Sequence, residues 1–213
     1  MDVHSVASLD VDPSLLAALA GLGLGLSLIV AIGAQTAFVL RQGLRGEHLL
    51  PVVAVCALSD AVLIGAGVLG AGALLERLPW LLPVFRVGGA AFLLGYAVVA
   101  ARRALRPGTL QAASEAVGAS LAAAVTTALA LTWLNRHVYL DTVVLLGSIE
   151  KTHGEERGWF AAGVVLGSVV WFTGLGFGAR LLRPLFARPG AWRVLDGVIA
   201  LVMVAFAVSL LLG

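Results

Sequence analysis

The chain has 213 residues, of which 60% are hydrophobic and 12% are charged, and its mean hydropathy is +1.01. These values exclude a soluble globular domain and predict an all-helical membrane protein, with room for about six spans of about 20 residues. The basic residues behind the net charge of +2 stand between apolar segments, so they indicate membrane topology and no nucleic-acid partner. A single cysteine, Cys56, excludes a disulfide framework and a thiolate metal site.

Six apolar segments follow one another along the chain and predict the spanning helices. Their approximate bounds are 14–40, 49–75, 79–101, 117–149, 158–182 and 191–212. The fourth segment, at roughly 33 residues, is too long for one straight crossing, which predicts a break or a strong tilt. Because the acidic N-terminus carries no Lys or Arg, it lacks the start of a cleavable signal peptide, and we expect the first segment to be retained.

Arginine and lysine are concentrated on one side of this six-span arrangement, where nine of them flank the first, third and fifth connections, against four on the other side. The positive-inside rule places the nine in the cytoplasm, so both termini are predicted to lie outside it. The nine are Arg41, Arg45, Arg102, Arg103, Arg106, Arg180, Arg183, Arg188 and Arg193, and the four are Arg77, Arg86, Lys151 and Arg157.

The first two segments each carry a polar feature at membrane depth. Near the end of the first, glycine weakens helix continuity, so we expect the helix to open at Gly33 and expose backbone groups beside Gln35 to a ligand. In the second, Asp60 stands alone and needs a cation nearby. That cation is a substrate ammonium, a sodium ion or a basic side chain such as Arg86 or Arg136. The alternative at Gly33 and Gln35 is helix packing and a hydrogen bond within the bundle.

The fourth segment contains the most polar stretch at membrane depth, LTWLNRHVYLDTVV, from Leu131 to Val144. Charged residues at that depth cost about 2.5 to 3.5 kcal/mol each on insertion scales, which favours a functional role. His137 and Asp141 are four residues apart and share a helical face, an arrangement suited to proton exchange near neutral pH. Asn135 and Tyr139 share another face. The alternative is that these residues cap a kink and satisfy one another.

The two halves of the chain align weakly with each other. Laying residues 33–40 over residues 133–140 pairs Gln35 with Asn135. Each half, about 14–105 and 116–213, then holds three spans, which predicts one transporter domain built as a 3+3 inverted repeat with broken helices in spans one and four. Small residues at three and four spacing predict close helix packing, and the same faces would serve a homodimer.

Two long segments carry a family resemblance, from Gly33 to Ile64 and from Leu131 to Ile149, and the stretch from Trp171 to Phe186 also fits. They resemble the LysE family of bacterial amino-acid exporters, and within it the arginine/lysine exporter branch, over nearly the whole chain. The resemblance implies secondary active export of L-arginine or L-lysine across the bacterial inner membrane, driven by the proton motive force. It implies protons as the coupling ion, no cofactor and no enzymatic activity.

The family motifs fall on the same positions that their chemistry singled out above. We expect one set of these positions to bind the substrate, and His137 and Asp141 to couple protons. The substrate-binding set is Gly33, Gln35, Asp60, Asn135, Tyr139 and Asp141. We expect Asp60 and Asp141 to hold the cationic groups of the substrate, and the broken backbone near Gln35 and Asn135 to hold its carboxylate.

One residue departs from the family pattern, because Arg136 stands where proline is usual. An arginine there would repel a cationic substrate by roughly 4 kcal/mol at about 4 Å, unless Asp60 or Asp141 pairs with it. Export of neutral amino acids of the homoserine or threonine type, or of small cations, is therefore the alternative function. An intramembrane protease is disfavoured, because the four histidines are too scattered for a zinc-binding helix.

Overall fold

The computed structural model describes residues 12–30, 33–69, 80–105, 120–135, 139 and 154–212, and the regular secondary structure within them is helical. Seven α-helices lie in this part of the chain, joined in places by short 3-10 turns. They are α1 (Pro13–Ile29), α2 (Ala34–Arg45), α3 (Leu49–Val68), α4 (Leu81–Leu105), α5 (Leu121–Trp133), α6 (Arg157–Gly178) and α7 (Pro189–Leu212).

The first predicted span is two helices, α1 and α2, which are bent by 86° relative to each other. The predicted break of the first span near Gly33 is therefore confirmed. Gly33 itself has φ −117° and ψ 176°, an extended conformation open to any residue, so the bend does not depend on its conformational freedom. The second helix continues to Arg45 and ends at Gly46, whose left-handed φ of 76° favours glycine.

Four helices, α3, α4, α6 and α7, are long and apolar enough to cross a membrane, and the bent pair makes a fifth candidate span within the described residues. The short apolar helix α5 ends at Trp133, where the overlong fourth span was expected to break. These helices confirm a multi-pass, all-helical fold. The count of six spans and the inverted repeat stay predictions, since 106–119 and most of 136–153, in and around the predicted fourth span, lie outside the described residues.

Close packing of α1 against α6 shows what some of the glycines do. A Cβ atom at Gly21 would collide with the carbonyl oxygen of Phe160, and one at Gly163 would collide with the carbonyl oxygen of Ala18. Lipid gives no hydrophobic drive between helices, so such close backbone approach stabilises the pair by van der Waals contact. This confirms the packing role predicted for these glycines, while the homodimer stays a prediction.

The third helix, α3, lies in the middle of the bundle and contacts α2, α5 and α6, while α4 packs along α7. The large apolar cluster between them draws on six helices and includes Phe38, Val52, Cys56, Leu93 and Met203. Apolar side chains also cover the outside of the bundle, as expected for helices whose solvent is lipid. Examples are Leu58, Val62, Val87, Val98, Leu166, Val170 and Leu201. This arrangement turns the face of α3 that carries Asp60 away from lipid, while Leu58 and Val62 lie on its outer face.

Candidate functional site

Asp60 lies in the middle of α3 and is 9% exposed. The hydroxyl of Ser168, on α6, donates to its carboxylate, with 2.6 Å between Ser168 Oγ and Asp60 Oδ2. Among the described residues, no lysine or arginine forms an ion pair with this carboxylate, and Arg86 is therefore not its partner. Arg136, the other basic residue considered, lies outside the described residues. Asp60 is thus a buried acid with a neutral hydrogen-bond partner.

A line of polar groups runs from Asp60 towards α2. Cys56 is one helical turn before Asp60 on α3, and the side chain of Gln35, on α2, lies beside its thiol. The Nε2 atom of Gln35 is buried and has no hydrogen-bond partner in the described part of the chain. The same holds for Nε1 of Trp171, three residues after Ser168 on α6. A buried donor without a partner costs about 1 to 3 kcal/mol, so both atoms suit a ligand that brings an acceptor.

The start of α2 lies beside this line. Its N-cap, Gly33, supplies no side-chain hydrogen bond, and the first helical residue, Ala34, is buried. A helix N-terminus carries a partial positive charge and backbone N–H groups that lack partners within the helix. Buried inside a membrane protein, such an end suits a carboxylate ligand.

The end of α5 is tied to α3 beside Asp60. The indole Nε1 of Trp133 donates to Ser59 Oγ at 3.1 Å. The hydroxyl of Tyr139 donates to the Trp133 carbonyl oxygen at 2.7 Å, and its ring stacks on Phe85 with centroids 4.9 Å apart. Tyr139 is buried and packs with Leu63 of α3. The predicted site residue Tyr139 thus lies against the helix that carries Asp60, with its proton committed to a backbone carbonyl.

A narrow pocket lies between the two helix breaks. Asn135, just past the end of α5, and Ala34, at the start of α2, both line it, so the structure brings together the two regions paired by the internal alignment. The side chain of Asn135 is half-buried, and its backbone N–H donates to the Thr132 carbonyl oxygen at 3.3 Å. The pocket is otherwise apolar and is lined by Gly89, Phe92, Leu93, Ala130, Leu131, Leu134 and Phe206.

The remaining predicted site residues, Arg136, His137 and Asp141, lie outside the described residues, so their placement stays a prediction. Ser168 was assigned no role from the sequence. The serine sits in an apolar run with glycine one residue before it, a pattern that packing alone also explains. Only the contact between α3 and α6 shows that it meets Asp60.

Sequence reasoning also missed a buried ion pair between α2 and α7. Arg41, counted above as a cytoplasmic topology signal, lies inside α2, where its Nε donates to Asp196 Oδ1 at 2.8 Å. The two residues are 7% and 1% exposed. Arg41 is therefore no loop residue, and the basic residues divide eight to four, which leaves the direction of the topology prediction unchanged. An acid within the sixth apolar segment was the available signal for Asp196.

Comparison with known proteins is consistent with this architecture. The family model described as "LysE type translocator" matches residues 26–213. A Mycobacterium tuberculosis protein named "putative amino-acid transporter" is 50% identical over 186 residues, 87% of this chain and 92% of that protein. The "arginine exporter protein ArgO" of Salmonella schwarzengrund is 42% identical over 184 residues, 86% of this chain and 87% of that protein. No solved structure matches the chain. Because the family model covers most of its length, the chain belongs to the LysE family, and it is a multi-pass membrane translocator rather than an enzyme.

Proposed function

We propose that this translocator exports basic amino acids, L-arginine or L-lysine, from the cytoplasm across the bacterial inner membrane. The Salmonella relative named as an arginine exporter supports this substrate class. The observation that carries the proposal is Asp60, buried in a spanning helix with a serine hydroxyl as its hydrogen-bond donor and no basic partner among the described residues. A buried carboxylate is stable as an anion when a cation joins it, and the guanidinium or ammonium group of the substrate supplies that cation.

The other end of the substrate is a carboxylate, and the start of α2 offers it a site. The partial positive charge of the helix end and the unpartnered Nε2 of Gln35 favour an anion there. Trp171 Nε1 is a second buried donor, on a helix that contacts α2. Asn135 adds a polar group at the pocket between the breaks. In this proposal Gly33 and Gln35 hold the carboxylate with Asn135, while Asp60, with Asp141 and Tyr139, holds the cationic end.

Export is proposed to be driven by the proton motive force, with His137 and Asp141 as the proton-coupling residues. Their spacing of four residues on one helical face supports this role. The excess of basic residues on one side supports an orientation with both termini outside the cytoplasm. Collapsing the pH gradient and the membrane potential separately in cells preloaded with labelled arginine tests the coupling. Efflux that survives the loss of both gradients would contradict it.

The substrate is tested by efflux from cells that lack their own basic amino-acid exporters. The cells are preloaded with labelled arginine, lysine, homoserine or threonine, and efflux is compared with and without this chain. We expect the chain to accelerate efflux of arginine or lysine and to leave efflux of the other two unchanged. Accelerated efflux of the neutral amino acids alone would overturn the proposal.

Arg136 favours a second candidate, export of neutral amino acids on the same fold, because a fixed positive charge at the site disfavours a cationic substrate. The Arg136→Pro variant tests this directly in the same efflux assay. If the unchanged chain exports neutral amino acids and the proline variant exports arginine, Arg136 sets the specificity. Equal arginine export by both chains would show that Arg136 is neutralised within the site.

A further inference from the structure

The ion pair between Arg41 and Asp196 joins α2 and α7, two of the four helices that border the pocket. Ala34 and Arg41 both lie on α2, seven residues apart, so the ion pair is about 10 Å from the pocket along that helix. Phe206 and Asp196 lie on α7, ten residues apart, which corresponds to about 15 Å. The pocket and the ion pair are therefore successive positions along the same two helices, in the interior of the bundle.

Positive charge is in excess around Asp196. Arg103, near the end of α4, is half-buried and lies within electrostatic range of both Arg41 and Asp196. Tyr96, on the same helix, meets Phe38 of α2 edge to face, with ring centroids 6.1 Å apart. Two guanidinium groups thus lie near one carboxylate. If Arg41 moved away, one carboxylate and one guanidinium would remain, which is complementary to the cationic and anionic ends of an amino acid.

Arg41 lies on a helix that begins at a break. Helix α2 follows an 86° bend, broken helices of transporters line the substrate site, and hinges for domain movement lie at the ends of such elements. Arg41 donates to Asp196 through its Nε, at 2.8 Å. The guanidinium of a free arginine has the same chemistry as that of Arg41, so one can replace the other on Asp196 without leaving that buried carboxylate unpaired.

We infer that Asp196 is a second cation-binding position on the transport pathway. In this conformation Asp196 binds Arg41, and when α2 moves it binds the guanidinium or ammonium group of the substrate instead. This inference rests on the proposed export of basic amino acids. Arg103 takes the substrate carboxylate at the same position. Arg41 thereby occupies Asp196 in place of the substrate and closes this position when no substrate is present.

The inference predicts that the two partners of the ion pair are not equivalent. Arg41→Ala frees Asp196 for the substrate, so arginine efflux stays within about twofold of the unchanged chain. Asp196→Asn removes the position, and efflux falls by about tenfold, the loss expected for one charged contact. The double variant, with no ion pair and no carboxylate, stays as low as Asp196→Asn. All rates are normalised to the amount of each chain in the membrane.

A purely structural ion pair gives a different pattern in the same assay. Removing either partner then leaves one buried charge unpaired and lowers efflux to a similar degree, and the double variant recovers because neither charge remains. That symmetrical pattern would overturn the inference while leaving the proposed substrate intact. Undiminished efflux from the Asp196→Asn chain would overturn it as well.

Arg41→Ala leaves a space that a free guanidinium can fill, and this permits a test that needs no flux. The Tm of each purified chain in detergent is measured with L-arginine and with L-citrulline, whose side chain has arginine's shape without its charge. We expect arginine to raise the Tm of Arg41→Ala by several degrees more than citrulline does, and to lose this advantage in the double variant. Equal effects of the two compounds on Arg41→Ala would overturn the inference. Efflux of neutral amino acids alone would reject the proposed function instead, so the two failures are distinguishable.

Discussion

Asp60 and Asp196 are both buried aspartates on apolar spanning helices, yet their partners differ in kind. Asp60 receives a hydrogen bond from the neutral hydroxyl of Ser168, whereas Asp196 is bound by the guanidinium of Arg41. A neutral donor orients a carboxylate without cancelling its charge, and a guanidinium does both. Burial alone therefore does not mark a substrate site in a membrane protein. The charge of the partner decides whether the carboxylate is open to a ligand in a given conformation.

The neighbourhoods of the two acids differ in the same sense. Around Asp60 lie Ser59, Cys56 and the unpartnered amide nitrogen of Gln35, all of them neutral. Around Asp196 lie two arginines. A cationic substrate is therefore attracted to the middle of α3 in the conformation described here, and repelled from the start of α7 until Arg41 moves.

The largest effect is expected from Asp60→Asn, which removes the charge of the Asp60 carboxylate and keeps the shape of the side chain. Loss of a buried charge pair with the substrate costs about 3 to 5 kcal/mol, so arginine efflux should fall at least about 100-fold. Thermal stability should hold or rise, because the variant removes a buried carboxylate that has no basic partner among the described residues. Glu47→Gln is the matched control, since Glu47 lies in a connection and pairs with Arg45. Efflux that survives Asp60→Asn would remove the central residue of the proposed function.

A smaller effect is expected from Ser168→Ala, which removes the neutral donor and leaves the Asp60 charge in place. A hydrogen bond to a charged group is worth about 1.5 to 3 kcal/mol, so arginine efflux at subsaturating substrate should fall about tenfold. The exposed Ser27, whose hydroxyl bonds only the backbone of its own helix, supplies the control Ser27→Ala. If Ser168→Ala is as active as that control, Asp60 is oriented by something other than this bond.

The sequence predicts most of the helices, and Asp60 as a site residue, because both predictions depend on local sequence. Apolar runs of about 20 residues give the start of α3 at Leu49 and the end of α7 at Leu212 within a residue of the structure. Asp60 stands out because an acid among apolar residues is costly wherever its helix packs. The break at Gly33 was predicted from a run of small residues, although the residue's own backbone is ordinary.

What the sequence does not predict is how the helices face one another. Ser168 meets Asp60, and Arg41 meets Asp196, across 108 and 155 residues of sequence. The periodicity of an apolar span gives almost no rotation, because both its lipid side and its core side are hydrophobic. Arg41 was counted as a topology signal because an arginine after a long apolar run is typical of a membrane boundary. Only the bend between α1 and α2 places Arg41 inside the bundle.

The smallest effect is expected from Tyr139→Phe, which tests whether Tyr139 touches the substrate or only supports the packing of α3 beside Asp60. The tyrosine proton is committed to the Trp133 carbonyl, so its loss should cost about 1 kcal/mol of stability and change arginine efflux less than about fivefold. Phe85→Leu is the companion variant, because it removes the stacked ring and keeps the hydroxyl. If Tyr139→Phe lowers efflux more than tenfold at unchanged Tm while Phe85→Leu does not, the hydroxyl oxygen binds the substrate directly. Tyr139 would then be a substrate-binding residue beside Asp60.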